Sequence, residues 1–236
     1  MHFMEWLTAK MHHNIIVVSD EQCEYFAEAY KRICTTIPTA INLPEPNRAD
    51  SDILNRCNLT TYCYFLYLGR LVQDKNPDYL IRAYLQSGIT DKKLVIAGSN
   101  DQLPDYVEYL HSLGNGCDRI IFTGAVYGDD KETLLRNCFA FCIPSTIEGL
   151  AITLLEAMSY SRLCIASDIP ANKEGLGGNG IWVKAEDTDD LADKLRYTAE
   201  NYDEVAPLER QNFERVKDNF TWKKISAQYV EYLKSI

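Results

Sequence analysis

The segment from Pro144 to Glu156, PSTIEGLAITLLE, contains two glutamates that frame a glycine and the beginning of an apolar helix. Gly149 and Leu150 are predicted to open that helix, so its free backbone N–H groups and positive dipole end would face an anion such as pyrophosphate. Glu156 returns to the same helix face as Gly149, roughly 10 Å along the axis. Glu148 and Glu156 would then bind sugar hydroxyls and ribose hydroxyls on either side of the phosphates. The pattern therefore predicts a nucleotide-sugar site.

Short apolar runs alternate with helical patterns on both sides of this segment. The runs are bounded by turn residues, as buried parallel strands are, and they lie at 62–68, 94–97, 120–123, 139–143, 163–167 and 181–183. Strict alternation of strand and helix implies right-handed crossovers and a parallel sheet with helices on both faces. The predicted fold class is therefore α/β with a Rossmann-like sheet. In such sheets ligands bind beyond the carboxyl ends of the strands, where the Pro144 to Glu156 segment falls.

Polar residues and prolines mark the helix boundaries. Asn76 followed by Pro77 predicts a capped helix that Gly88 ends. Asp130 is predicted to cap a helix over 131–137, and Thr188 a helix over 189–200. The patterns predict further helices over 21–32, over 104–113 and over 220–233, and one more strand over 14–19.

Size and composition limit the classes of protein that the chain can represent. With 236 residues and 46% hydrophobic content, the chain can form one large domain or two small ones. The formal net charge of −10 argues against a nucleic-acid partner. No apolar run reaches membrane-spanning length, and the first residues lack the apolar stretch of a signal peptide, so a cytoplasmic protein is expected.

The eight cysteines are interpreted as reduced thiols. Cys63, Cys138, Cys142 and Cys164 fall in or beside apolar segments, where cysteine behaves as a small hydrophobic residue and is expected to be buried. Cys138 and Cys142 lack CxxC spacing and a nearby histidine, so no zinc site is predicted.

From Tyr62 onward the chain resembles the retaining glycosyltransferases of family four, the glycosyl transferases group 1, which have the two-domain GT-B fold. The resemblance rests on motifs that are specific in combination. In chain order they are FLYLGRLVQDKNPDYLIRAY (65–84), KLVIAGSND (93–101), RIIFTGAV (119–126), PSTIEGLAITLLEAM (144–158) and CIASDIPANKE (164–174). Together they span roughly three quarters of the chain and are typical of the C-terminal nucleotide-sugar-binding domain.

The resemblance assigns roles to two basic residues that spacing alone would leave as surface charges. Arg70 and Lys75, in the GRLVQDK segment that begins at Gly69, would neutralise the donor pyrophosphate and act in catalysis with Glu148. Glu148 would also contact the donor sugar.

The remaining donor-binding residues implied by the resemblance are Gly69, Gly98, Val126, Gly149, Leu150 and Glu156. Loops after Gly98 and Gly124 would form walls around the base, and Val126 would offer backbone hydrogen bonds. No metal or other cofactor is expected, because the cationic side chains and the helix terminus would stabilise the leaving diphosphate.

The resemblance also predicts a domain division. Residues 1–50 would be the last strand and helix of an N-terminal acceptor domain plus a proline-containing linker, most of that domain being missing. Residues 51–219 would bind the nucleotide-sugar, and residues 220–236 would form a terminal helix that packs back on the N-terminal part. Apolar residues at both ends, including Phe3, Trp6 and Trp222, would then be exposed, so a homo-oligomer or a partner chain supplying the missing domain is expected.

Three residues differ from the pattern common in the family. Ala151, Ser161 and Leu163 stand where glycine, glycine and proline are frequent. Their added bulk is expected near the donor pocket, where it would alter donor binding.

Two functions fit the sequence. The first is a retaining glycosyltransferase that moves a sugar from a nucleoside diphosphate donor to a hydroxyl acceptor. The second is a nucleotide-sugar-binding module without independent catalysis, or one half of a split glycosyltransferase. Neither base, sugar nor acceptor follows from the residues.

Overall fold

The computed structural model describes residues 2–236, with His2 described by its backbone alone. Its main sheet contains six strands, β3 (Tyr64–Leu68), β4 (Lys93–Ala97), β5 (Ile120–Gly124), β6 (Ala140–Ile143), β7 (Leu163–Ser167) and β8 (Ile181–Val183). All neighbouring strands are parallel, in the order β5-β4-β3-β6-β7-β8. A separate parallel pair near the N-terminus joins β1 (Ile16–Val17) to β2 (Thr35–Thr36).

The strand order places a switch point in the middle of the main sheet. From β3 the chain runs outward to β4 and β5, then returns to the other side of β3 and continues through β6, β7 and β8. This is the order of a Rossmann-like sheet, in which a crevice forms at the carboxyl ends of the two central strands. The segments that leave β3 and β6 border that crevice.

Helices cover both faces of the sheet. They are α1 (His2–Met11), α2 (Asp20–Tyr30), α3 (Ile53–Arg56), α4 (Pro77–Ser87), α5 (Pro104–Gly114), α6 (Gly128–Asn137), α7 (Ile152–Ser159), α8 (Pro170–Leu176), α9 (Thr188–Glu200), α10 (Tyr202–Val205), α11 (Pro207–Asn219) and α12 (Trp222–Ser235). Successive residues of β3 point to opposite faces, so Leu66 lies in one apolar cluster and Phe65 in the other. The predicted α/β class with a parallel sheet and helices on both faces is confirmed.

The predicted helix caps differ from those observed. Asn76 precedes Pro77 as expected, but its φ of 50° is left-handed and its side chain donates to the Pro144 carbonyl at 3.0 Å instead of capping α4. α6 begins before Asp130, whose carboxylate instead binds Arg56.

In α9 the cap is Asp187, which accepts from the Asp190 backbone N–H at 3.0 Å, so Thr188 is already helical. Asn76 and Asp130 thus find distant partners that the local sequence does not reveal, whereas Asp187 caps α9 locally, one residue before the predicted cap.

The N-terminal segment contains less strand than predicted. The strand expected over 14–19 is reduced to β1, and the expected helix over 21–32 is α2, capped by Ser19. Phe3 and Trp222 are 69% and 57% exposed, as expected for residues at the two ends. The domain division and the association predicted from those ends stay predictions.

The eight cysteines range from buried to exposed. Cys138, Cys142 and Cys164 are buried as predicted, and burial raises the pKa of Cys138 to about 12. The prediction for Cys63 is wrong, because this residue precedes β3 and is exposed. No helix formed by residues 2–236 is long and apolar enough to cross a membrane.

Two of the residues that depart from the family pattern lie away from the predicted donor site. Leu163 is the first residue of β7, at the amino end of the sheet, and is fully buried in the core. Ser161 lies in the preceding turn with a φ of 56°. The expectation that their bulk reaches the donor pocket is therefore wrong, since that pocket is predicted at the carboxyl ends.

Ser161→Gly is expected to raise the free energy of unfolding by about 0.5 to 1 kcal/mol, because a left-handed backbone strains any residue with a Cβ. Urea unfolding measures the change. Ser226→Gly, in the exposed middle of α12, is the matched control and should lower stability by about 0.5 kcal/mol. Destabilisation by both substitutions would contradict the assigned strain.

Candidate active site

A cavity of about 350 Å³, the strand-end cavity, opens at the carboxyl ends of β3, β4 and β5. Its lining combines glycine backbone, a few apolar side chains and three charged residues. The lining residues are Leu68, Gly69, Arg70, Ala97, Gly98, Ser99, Ala125, Val126, Tyr127, Lys131, Ile152, Thr153 and Glu156. Five of the residues predicted for donor binding or catalysis are thus brought together: Gly69, Arg70, Gly98, Val126 and Glu156.

Gly98 is required by a close approach of two backbone segments. A Cβ atom at this position would lie 1.9 Å from the carbonyl oxygen of Gly69. The approach is fixed by hydrogen bonds, because the Gly69 N–H donates to the Ala97 carbonyl at 3.0 Å and the Gly98 N–H donates to the Gly124 carbonyl at 2.9 Å. The ends of three strands are therefore drawn together, and bare backbone forms this wall of the cavity.

The helix that carries Glu156 begins later than predicted. α7 starts at Ile152, with Ala151 as its N-cap, so Gly149 and Leu150 belong to the preceding loop. Leu150 is 7% exposed and packs in the apolar core, which accounts for the delayed helix start. The free N–H groups at the mouth of the cavity are therefore those of the Ile152 turn.

Glu156 forms an ion pair that the sequence reasoning missed. The Lys131 ammonium lies 2.6 Å from the Glu156 carboxylate, and the two side chains are 30% and 21% exposed. An apolar helix environment requires a partner for a carboxylate, and in this structure that partner is a lysine. The sequence contained one indication of this pair. Lys131 follows β5 closely, so it comes to the same edge of the sheet as Glu156.

Lys75 and Glu148 form a second ion pair beside the cavity. Their charged atoms are 2.9 Å apart, and the side chains are only 17% and 12% exposed. The Lys75 ammonium also donates to the Ile147 carbonyl at 2.6 Å. Lys75 and Glu148 do not line the cavity wall, but they lie in the two segments that leave β3 and β6.

Hydrogen bonds join the segments that follow β3 and β6 across the switch point. The Thr146 backbone N–H donates to the Asp74 carbonyl at 3.0 Å, and the Asn76 side chain donates to the Pro144 carbonyl. These hydrogen bonds fix the position of Lys75 relative to Glu148 before any ligand binds. Preorganised charges of this kind lose little entropy when a ligand arrives.

Gly149 faces the N-terminal segment. A Cβ atom here would lie 3.1 Å from the Gln22 amide nitrogen and 3.5 Å from a Val18 methyl group. The Gln22 side chain in turn accepts from the Val18 backbone N–H at 3.1 Å. The loop that precedes α7 therefore sits at the junction between the main sheet and the start of α2.

The site contains three cations and three carboxylates, because Asp74 lies 3.8 Å from the Lys75 ammonium in addition to Glu148. Arg70 is exposed and lacks an ion-pair partner within residues 2–236, whereas Lys75 and Lys131 are each paired with a glutamate. Arg70 is therefore the cation of the site that is left to pair with an anionic group such as a phosphate.

Residues 2–236 contain no group of three or more His, Cys, Asp or Glu side chains arranged to hold a metal ion. Both glutamates of the site are paired with lysines.

A second cavity of about 440 Å³ adjoins the first beneath the linker. Lys131, Ile152 and Glu156 line both cavities, and Trp222 with residues 40–45 closes the second one. The Lys131–Glu156 pair therefore lies between the strand-end cavity and residues 40–45.

The family model for glycosyl transferases group 1 matches residues 63–201. An uncharacterized glycosyltransferase of Methanocaldococcus jannaschii is 31% identical over 175 residues, which cover 72% of this chain and 44% of the relative. The N,N'-diacetylbacillosaminyl-diphospho-undecaprenol alpha-1,3-N-acetylgalactosaminyltransferase of Campylobacter jejuni is 25% identical over 209 residues, covering 83% of this chain and 53% of the relative. The chain therefore spans about half the length of these relatives.

Among solved structures, Anabaena HepE in complex with UDP and glucose superposes with a TM-score of 0.86 at 21% identity, covering 98% of this chain and 65% of HepE. This likeness shows a shared fold. The match of the family model to more than half of the chain goes further: the chain belongs to the glycosyl transferases group 1 family.

Proposed function

We propose that the chain provides the donor-binding site of a retaining glycosyltransferase, which moves a sugar from a nucleoside diphosphate to a hydroxyl acceptor. The observation that carries the proposal is the strand-end cavity, because it gathers Arg70, the Gly98 backbone and Glu156 at the switch point of the sheet. Its volume lies within the range of small-molecule sites.

The charges define how a nucleoside diphosphate would lie in the site. Glu156 accepts hydrogen bonds from ribose hydroxyls, while the Lys131 ammonium orients its carboxylate. The diphosphate lies toward Arg70 and Lys75, and the base lies against the backbone near Val126. The sugar then extends toward Glu148, whose carboxylate is held by Lys75 and retains acceptor capacity for hydroxyls.

In the proposed reaction, the bond between the anomeric carbon and the diphosphate oxygen breaks with its electron pair on that oxygen. Arg70 and Lys75 stabilise the negative charge that develops there, as preorganised cations do for leaving groups. The acceptor oxygen attacks the same face of the sugar, and its proton passes to the departing phosphate oxygen. The anomeric configuration is thereby retained.

The class of donor is supported by the solved relative in complex with UDP and glucose. The base is not fixed by a side chain among the predicted residues, since Val126 offers only its backbone to the ligand. UDP, GDP and ADP are therefore the probes to compare.

Alanine substitution at Arg70, Lys75 or Glu156 is expected to weaken binding of a nucleoside diphosphate by about 1.5 to 3 kcal/mol, the range for charge-assisted hydrogen bonds. Isothermal titration calorimetry measures the change. Lys184→Ala is a matched control, because Lys184 is exposed beside β8 and outside the cavity. Unchanged affinity in all three folded variants would refute the site.

Turnover of the full-length protein tests the reaction itself. A UDP-, GDP- or ADP-sugar is incubated with a hydroxyl acceptor, and the anomeric configuration of the new bond is determined by NMR. Retention supports the proposed mechanism, and inversion contradicts it. Tight donor binding without any turnover would instead favour the nucleotide-sugar-binding module, the alternative predicted from the sequence.

A further inference from the structure

A cavity of about 460 Å³ lies at the opposite end of the sheet from the candidate active site. It is lined by Tyr62, Lys92, Phe139, Arg162, Ala199, Tyr202 and Glu209. The first four of these residues immediately precede strands of the main sheet or lie within two residues of one, and the last three belong to α9, α10 and α11. The cavity is therefore formed at the amino ends of the strands, away from the residues assigned to the donor.

Three aromatic rings form the apolar part of this amino-end cavity. The rings of Phe139 and Tyr202 are tilted by 41° with centroids 5.8 Å apart. Tyr62 is 52% exposed and has a φ of 60°, a left-handed conformation that costs energy for a bulky residue. The Tyr62 backbone N–H donates to the Asn137 carbonyl at 2.8 Å, which holds the residue in this conformation with its ring at the cavity.

Arg162 provides a buried cation at the cavity wall. The residue is 7% exposed, and its guanidinium lies 4.8 Å from the centroid of the Tyr62 ring. Two of its nitrogens are bound, Nε to the Tyr160 carbonyl at 2.9 Å and Nη1 to the Cys138 carbonyl at 3.2 Å. For the remaining nitrogen, Nη2, residues 2–236 supply no hydrogen-bond acceptor. The guanidinium is thus fixed in orientation with a donor to spare.

Lys92 and Glu209 complete the charged lining. The Lys92 ammonium lies 4.6 Å from the centroid of the Phe139 ring and binds the Asp91 carboxylate at 2.6 Å. Glu209 accepts from the Tyr202 hydroxyl at 3.2 Å, and burial raises the pKa of its carboxyl group. The lining therefore contains two cations and one carboxylate, and Asp91 pairs with Lys92 from outside it, so the charges balance. Among residues 2–236, Arg162 Nη2 is the charged donor of the lining that remains without an acceptor.

We propose that the amino-end cavity binds a small ring compound with one carboxylate, of which an aromatic carboxylate is the best match. Its ring would stack among Tyr62, Phe139 and Tyr202, since aromatic pairs are favourable at centroid distances of about 4.5 to 7 Å. Its carboxylate would accept from Arg162 Nη2 and from Lys92. An acidic sugar presents the same charge on a saturated ring, so the experiment distinguishes the two sources.

Titration of the full chain with benzoate tests the site, with ligand-detected NMR as the readout. Saturable binding is expected, and benzamide, which lacks the charge, should bind about tenfold more weakly or not at all. Glucuronate and glucose form the second pair of probes. Saturation by glucuronate alone would assign the site to acidic sugars, and saturation by none of the four compounds would overturn the proposal.

Variants separate the amino-end cavity from non-specific binding. Tyr62→Gly removes a ring while relieving the left-handed strain, so the protein is expected to stay folded and to bind benzoate at least about tenfold more weakly. Lys92→Met should have a similar effect, whereas Lys184→Met removes an equivalent charge outside the cavity and should leave binding unchanged. If Tyr62→Gly and Lys92→Met bind benzoate as tightly as the parent protein and Lys184→Met do, the proposal is overturned. Nucleoside diphosphate binding, measured in parallel, should be unaffected throughout.

Discussion

Replacing Gly98 by alanine is expected to abolish measurable binding of nucleoside diphosphates. The new Cβ atom would lie 1.9 Å from the Gly69 carbonyl oxygen. No side-chain rotation can relieve this contact, because the oxygen is a backbone atom and the Cβ is bonded directly to the backbone. The ends of β3 and β4 must then separate, which breaks the wall of the strand-end cavity. A loss of about 3 kcal/mol in the free energy of unfolding is expected, as for other severe backbone clashes.

The matched control for this substitution is Gly178→Ala. A Cβ atom at Gly178 meets no atom within 4 Å, and the residue does not have a left-handed φ. Its stability and diphosphate affinity should match those of the parent protein. Calorimetry and urea unfolding on both variants measure the two effects, and a Gly98→Ala protein that binds diphosphate normally would contradict the described packing.

Lys75→Met is expected to have the second-largest effect. The Lys75–Glu148 pair is largely buried, so removal of the lysine leaves an uncompensated carboxylate next to the diphosphate position. Removal of one partner of a buried ion pair typically lowers the free energy of unfolding by about 3 kcal/mol or more. Because this pair is still partly exposed, the substitution should lower the free energy of unfolding by about 2 to 3 kcal/mol. Diphosphate affinity should fall further than in Arg70→Met, because Glu148 then repels the ligand.

A double-mutant cycle isolates this effect. Adding Glu148→Gln to Lys75→Met removes the stranded charge and should restore at least about half of the lost stability. Lys173→Met is the control, because the Lys173–Asp168 pair is about half exposed and should contribute less than about 0.5 kcal/mol. Additive effects of the Lys75 and Glu148 substitutions would show that the two side chains do not depend on each other.

The sheet could be predicted from the sequence because its strands are buried on both faces. The run at 163–167 matches β7 and the run at 181–183 matches β8, since continuous apolar residues between turn residues are a local signal. The gathering of Arg70, Gly98 and Glu156 follows from the same topology. Parallel strands bring their carboxyl ends, and the residues that follow, to one edge of the sheet.

What could not be predicted depends on long-range partners. Lys131 and Glu156 are paired across two helices, and neither local spacing nor helix periodicity identifies the partner of a single carboxylate. The late start of α7 depends on the burial of Leu150 in the core, which competes with the helix signal of Gly149. The left-handed turn at Ser161 is set by the geometry between α7 and β7 and not by the identity of the residue.

The central claim is that a nucleoside diphosphate binds at the carboxyl ends of β3, β4 and β5. Amide hydrogen exchange, measured with and without saturating UDP, GDP or ADP, locates the ligand most directly. With at least one of these diphosphates, exchange should slow in the segments 69–75, 98–100, 124–127 and 148–156, and little elsewhere. Absence of protection with all three, or protection confined to the amino ends of the strands, would contradict the account.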